Sequence, residues 1–321
     1  MAASPTTGRG RPDSLDHMIR LTSLTRRYGR TTAVHDLTLT VRSGHVTGFL
    51  GPNGAGKSTT LRMILGLTAP TSGTVTVDGV RFRDRPRGLR HVGALLDAAD
   101  VQGGRGAEAH LRALARSNGI PRSRVDATLR EVGLAGVARR RVGGFSLGMR
   151  QRLGIAAALL GDPPVVLFDE PFNGLDPEGV RWVRGLFREL AGQGRTVFVS
   201  SHLMSEMEHC VDRLVVIGRG RLLADQSLAE FAATSGGSTV SVRTPQEGAL
   251  TARLTAEGGV VRAEDDGTVT VTGLSAARVG DLAAAHRIPV HELVTRTPSL
   301  EQAFMALTAT SVEHRAGEVA R

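Results

Sequence analysis

The chain has 321 residues, 40% of them apolar and 22% charged, with a formal net charge of +9. That balance excludes a disordered polymer and fits two globular domains of roughly 150 residues each. No apolar run approaches the ~18 residues needed to span a bilayer, and the first residues lack an apolar leader, so a cytoplasmic chain is expected. The lone Cys210 excludes an internal disulfide, fits a reducing compartment and reads as a small core residue.

In chain order, residues 1–17 read as a flexible tail, within which Arg9-Gly10-Arg11-Pro12 resembles the core of an AT-hook. Short apolar strands begin at Ile19, and Leu37–Val41 alternates as in an edge sheet with one wet face. Val46–Leu50 is a short buried strand running into Gly51-Pro52-Asn53-Gly54-Ala55-Gly56-Lys57-Ser58-Thr59, and Leu61, Ile64 and Leu65 then have helical spacing. Lys57 is the only lysine among 40 lysines and arginines. A compact ammonium is the group that enters a phosphate cradle as a point charge. Strand, glycine-rich loop and helix together satisfy the context of a phosphate loop. Backbone N–H groups line it, Lys57 reaches the β- and γ-phosphates, and the Ser58 hydroxyl is offered to Mg²⁺.

Thr74–Gly79 reads as strand and turn. The arginines at 81, 83, 85, 87 and 90 read first as a solvated edge, and otherwise as a face toward a membrane or a partner. Residues 97–160 form a mostly helical insert, with Leu111, Leu114 and Ala115, then Val125, Leu129 and Val132, at helical spacing. Within it, Phe145–Arg152 precedes an apolar helix over Leu153–Leu160. The Ser146 hydroxyl and the adjacent helix N-terminus make a second anion site. Two phosphate-facing elements in a chain with one phosphate loop suggest two protomers sandwiching ATP.

Val165–Phe168 is an apolar strand delivering Asp169 toward a metal and Glu170, one residue on, as a general base. His202 closes the strand Thr196–Val199 and can donate to a transferring phosphoryl group or orient water. The nucleotide domain is expected over 18–231 and a linker over 232–238. A small α+β domain of βαββαβ order plus a helix follows over 239–308, with a tail over 309–321.

The loop Gly51–Thr59, the strand Val165–Asp169 with Glu170, Asn173-Gly174-Leu175-Asp176 and His202 together resemble the ATP-binding subunit of an ABC transporter. The likeness covers residues 18–231. It implies a P-loop α/β core of ABC ATPase type with an antiparallel edge sheet and a helical subdomain, and the βαββαβ order over 239–308 suggests a small ferredoxin-like α+β domain after it. It implies Gly51, Pro52, Asn53, Gly54, Ala55, Gly56, Lys57, Ser58 and Thr59 on the phosphates. It also implies Tyr28 on adenine, Ser146, Gly148 and Asp176 on the second protomer's nucleotide, and Glu170, His202 and Lys57 in catalysis. Ser58, Asp169 and Asp97 are the expected Mg²⁺ ligands. Phe145-Ser146-Leu147-Gly148-Met149 departs from the usual signature and resembles the variant of bacitracin- and daunorubicin-type resistance exporters. Asp97 stands where a glutamine is usual.

ATP, Mg²⁺, a second copy and a separate membrane permease are the implied cofactors and partners, at the cytoplasmic face of the membrane. Export of a toxic compound is favoured over uptake. A single phosphate loop and a modest insert argue against a soluble ABC-type ATPase acting on nucleic acid or ribosomes. Glu170 and His202 argue against a nucleotide sensor that does not hydrolyse.

Overall fold

A computed structural model of the chain describes residues 18–234, 239–264, 267–296 and 299–309. Arg9–Pro12, the centre of the expected linker and nearly all of the expected C-terminal tail lie outside them. The described residues fall into two compact units, meeting in sequence at Asp225 and Gln226. The division falls inside a strand, a few residues before the 231/232 boundary expected from composition.

The first unit opens with a three-stranded antiparallel sheet of β1 (Ile19–Tyr28), β2 (Thr31–Val41) and β4 (Ser72–Val77), in the order β2-β1-β4. Along β2, Leu37, Leu39 and Val41 are buried and Thr38 faces out, the alternation expected of a sheet wet on one side. A second sheet is largely parallel, in the order β5-β6-β7-β3-β8-β9. It comprises β3 (Val46–Leu50), β5 (Val92–Leu95), β6 (Val165–Asp169), β7 (Thr196–Ser201), β8 (Arg213–Gly218) and β9 (Arg221–Ser227). Every residue of β3, β6 and β7 is buried, which is why these strands read as continuous apolar runs.

Strands distant in sequence lie side by side: β3 is seated between β7 and β8, with Leu50 opposite Ser201, and Asp169 pairs with Ser200. Ligands of such sheets bind beyond the carboxyl ends of the strands. α1 (Lys57–Ile64) follows β3, and α2 (Ala107–Ser117), α3 (Arg122–Glu131) and α4 (Leu147–Leu159) make up the helical insert. Contrary to the sequence reading, α4 does not begin at Leu153. Its first turns are the signature residues themselves, with Ser146 as N-cap. α5 (Pro177–Gly192), capped by Asp176 with proline in its first turn, and the short α6 (Met204–Met207) complete the unit. Phe187 of α5 packs against Phe168 and Phe172, at ring-centroid distances of 4.9 and 5.9 Å.

The arginine cluster is not a uniformly solvated edge. Arg85 is partly buried and donates to the Val77 carbonyl at 2.6 Å, while Arg90 donates to the carbonyls of Asn118 and Gly119. These two ground the segment on its neighbours, although Arg90, like Arg81, Arg83 and Arg87, is exposed. Cys210 is buried, as expected, and burial pushes its thiol up to about 11.

The second unit begins with α7 (Leu228–Thr234). It continues as β10 (Thr239–Arg243), α8 (Glu247–Ala256), β11 (Val260–Ala263), β12 (Thr268–Thr272), α9 (Ala276–Ala285), β13 (Glu292–Arg296) and α10 (Leu300–Thr308). The element order agrees with the expectation. The sheet is antiparallel throughout, in the order β11-β12-β10-β13, over a core of Val240, Val242, Leu250, Leu254, Val269 and Val271.

Candidate functional site

The carboxyl ends of β3, β6 and β7 deliver three groups to one place. The loop after β3 turns at Gly54 and Gly56, whose φ angles are +81° and +103°. A side chain at Gly56 would also run into the Ala33 carbonyl oxygen, so both geometry and space demand glycine there. The turn opens α1 at Lys57, and its ammonium folds back to donate to the Gly51 carbonyl at 2.7 Å. Lys57 lies 3.6 Å from Oε1 of Glu170. Burial pulls the Lys57 ammonium below its ordinary value, opposed by the charges of Glu170 and Asp169. Oε2 of Glu170 lies 3.0 Å from Nδ1 of His202. One carboxylate thus bridges the lysine of one strand end and the histidine of another.

A cleft of about 250 Å³ is lined by Ala33, Asn53–Thr59 and Glu170. The lining brings the glycine-rich loop and the N-terminus of α1 together with the Lys57 ammonium, and Glu170 adds one carboxylate. That donor set fits a polyphosphate with a water nucleophile beside the carboxylate. For a hard cation, the candidate donors are the exposed Ser58 hydroxyl at the start of α1 and the buried Asp169 carboxylate, fixed by a hydrogen bond from Ser200 Oγ. Oxygen donors of this kind suit Mg²⁺.

The remaining expected residues lie elsewhere. Gly51 and Pro52 supply carbonyls to Lys57 and are not in the cleft lining. Tyr28 is exposed at the end of β1, with the Arg26 guanidinium 4.4 Å from its ring centroid. Asp97 is exposed and outside the cleft lining, and its carboxylate accepts from the Ala99 N–H at 2.7 Å within a local turn. Ser146 and Gly148 form the start of α4, where Ser146 Oγ accepts from the Met149 N–H at 3.2 Å. Gly148 faces the Gly174 carbonyl too closely for a side chain to pass without a shift, and Leu147 covers the same glycine. Asp176 accepts from the Gly179 N–H at 2.7 Å as the cap of α5.

Two polar residues in this region, one buried and one half-buried, were missed from the sequence. Gln151, 3% exposed on α4, donates to the Glu170 main-chain carbonyl at 3.0 Å. Glu206 accepts from Ser201 Oγ at 2.5 Å, beside His202, and burial raises its carboxyl above the usual range. A glutamine inside an apolar helix was the available signal for the first. A carboxylate four residues past a strand-end histidine was the signal for the second.

The comparisons agree with this architecture. Residues 34–173 match the ABC transporter family, and residues 238–301 match a domain of unknown function, DUF8746. The bacitracin transport ATP-binding protein BcrA of Bacillus licheniformis is 42% identical over 211 residues, which is 65% of this chain and 69% of that protein. The uncharacterized ABC transporter ATP-binding protein YhcH of Bacillus subtilis is 33% identical over 92% of this chain and 97% of its own length. The solved structure of an ATP-binding subunit of an ABC transporter superposes with a TM-score of 0.63 at 29% identity, covering 68% of this chain and 92% of that one. The fold and the cleft define an ABC-type ATPase. The chain belongs to the ATP-binding proteins of ABC transporters. Among the described residues, no helix is long and apolar enough to cross a membrane.

Proposed function

We propose that this chain is the ATP-hydrolysing subunit of an ABC transporter that exports an antibiotic or other toxic compound through a separate membrane permease. It would work at the cytoplasmic face of the membrane. The observation that carries the catalytic part is the bridge from Lys57 through Glu170 to His202 at three strand ends. Lys57 neutralises charge on the β- and γ-phosphates, and the N–H groups of residues 53–59 orient them. Glu170 takes the proton of the attacking water, and His202 holds the carboxylate and donates toward the phosphoryl oxygens. Ser58 and Asp169 would hold Mg²⁺, with Asp97 the more distant candidate, and the ion would offset phosphate charge.

A homodimer is supported by the separation of the anion-facing groups. Ser146 and Gly148 do not line the cleft of their own Lys57, so they are free to face the nucleotide of a second copy, with Asp176 at that junction. Tyr28 is exposed where an adenine could stack. Export is supported by the signature variant and by similarity to a bacitracin transport protein.

The test is Glu170→Gln. The expected outcome is loss of Mg-dependent ATPase activity and an ATP-dependent dimer on size exclusion. A variant that stays monomeric in ATP would overturn the sandwich. Affinity purification from detergent-solubilised membranes should recover a polytopic protein with the tagged chain. Recovery with ribosomes or DNA at physiological salt would overturn the transport reading.

A further inference from the structure

Glu170 sits in a backbone conformation that long side chains avoid, at φ +48°. A non-glycine residue there costs on the order of 1–3 kcal/mol and persists only where its surroundings over-determine it. Three residues do so here. The Glu170 N–H is held by the Ser200 carbonyl and by Ser200 Oγ, each at 3.2 Å. Its carbonyl receives the Asn173 N–H at 3.3 Å and the Gln151 carboxamide at 3.0 Å. The side-chain bond is the shorter of those two and comes from a different element.

Among the described residues, this bond is the one the Gln151 side chain makes. It is buried on a helix whose neighbouring positions, Leu153, Gly154, Ile155 and Ala156, fill an apolar interior. A buried carboxamide costs free energy unless it is hydrogen-bonded. Only its NH₂ end suits a carbonyl acceptor, so the chemistry fixes the amide orientation.

We propose that Gln151 is a positioning residue for hydrolysis. By pinning the Glu170 carbonyl, it keeps the peptide in its left-handed turn and so aims the carboxylate between Lys57 and His202. The proposal rests on the reading of Glu170 as general base. Its consequence is that Glu170 follows α4, the helix capped by Ser146, so a displacement of that end is passed through Gln151 to a base that lies 19 residues from Gln151 in sequence.

Gln151→Met keeps the length and helix propensity of the side chain and removes only the donor. The expected result is a kcat lower by about tenfold or more with KM for ATP within about twofold, since a small misplacement of a catalytic group costs rate and not binding. Binding of a fluorescent ATP analogue should be unchanged. In the Glu170→Gln background, with the remaining turnover read by radiolabelled ATP, Gln151→Met should add no further loss, because a residue acting only through Glu170 has nothing left to position. Wild-type kcat in the single variant, or losses that multiply in the double variant, would overturn the proposal. Gln151→Glu, which sets an acceptor against the carbonyl, carries the same expectation should Gln151→Met aggregate. A wild-type rate no higher than that of Lys57→Ala would overturn the functional reading beneath the proposal and the proposal with it. An active wild type with an unaffected Gln151→Met would remove the proposal alone.

Discussion

The two units differ in what they bury. The second encloses an aliphatic core of valine, leucine, alanine and isoleucine, and its buried polar residues, Ser241, Thr244, Thr268 and Thr308, are all neutral. The first buries an ammonium at Lys57, a carboxylate at Asp169 and a carboxamide at Gln151, all near the same strand ends. Burying a charge is unfavourable unless it is paired and hydrogen-bonded. The first unit therefore gives up stability to hold charge in place, whereas the second buries no charged side chain among the described residues. The difference locates the chemistry before any motif is consulted.

The largest effect should come from Lys57→Ala, which leaves Glu170 without its cation. ATPase turnover should fall by about 100-fold or more, comparable to removing a transition-state donor. Retained turnover would break the assignment of the cleft. Next come the cores. Phe187→Ala removes a ring packed on two others and should destabilise the first unit by about 3–5 kcal/mol; Leu254→Ala should cost the second about 2–5 kcal/mol, both read by urea unfolding. Ser146→Ala tests whether that hydroxyl is a cap, a ligand or both. Loss of the cap should cost about 1 kcal/mol, and a fall in ATP-dependent dimerisation beyond that would mark contact with a second nucleotide.

The smallest effect concerns Glu206. Its folded-state carboxyl titrates above the ordinary value, so the folded chain binds more protons than the unfolded one between those two values. Stability from this group therefore falls as pH rises through that window. Glu206→Gln, which can still accept from Ser201, should melt at a higher temperature than wild type at pH 7, with the gap closing in acid below the ordinary glutamate value. A gap independent of pH would place the effect elsewhere.

Much of the first unit was legible because its chemistry is written in contiguous patterns. A buried strand, three glycines and one lysine announce a phosphate loop, and apolar runs ending in Asp169-Glu170 and Ser201-His202 announce strand ends facing it. That these ends converge required the crossover order β6-β7-β3, which no local pattern encodes. The left-handed backbone at Glu170 was equally silent, since glutamate carries no preference for it. Gln151 and Glu206 act across gaps in sequence through single hydrogen bonds, and hydrophobic periodicity does not register such contacts. The start of α4 was misjudged because Gly148, Met149 and Arg150 lack the apolar spacing of the turns that follow; the Ser146 cap is the signal that marks its true beginning.

Lys57 has one more consequence, for chemical labelling. It is the only side-chain amine in the sequence, and its burial shifts it toward the neutral, nucleophilic form. A small acylating reagent applied to this protein has a single lysine to find, at the mouth of the phosphate loop. Protection of that one position would report occupancy of the cleft by any anion, without a fluorophore, an engineered cysteine or turnover.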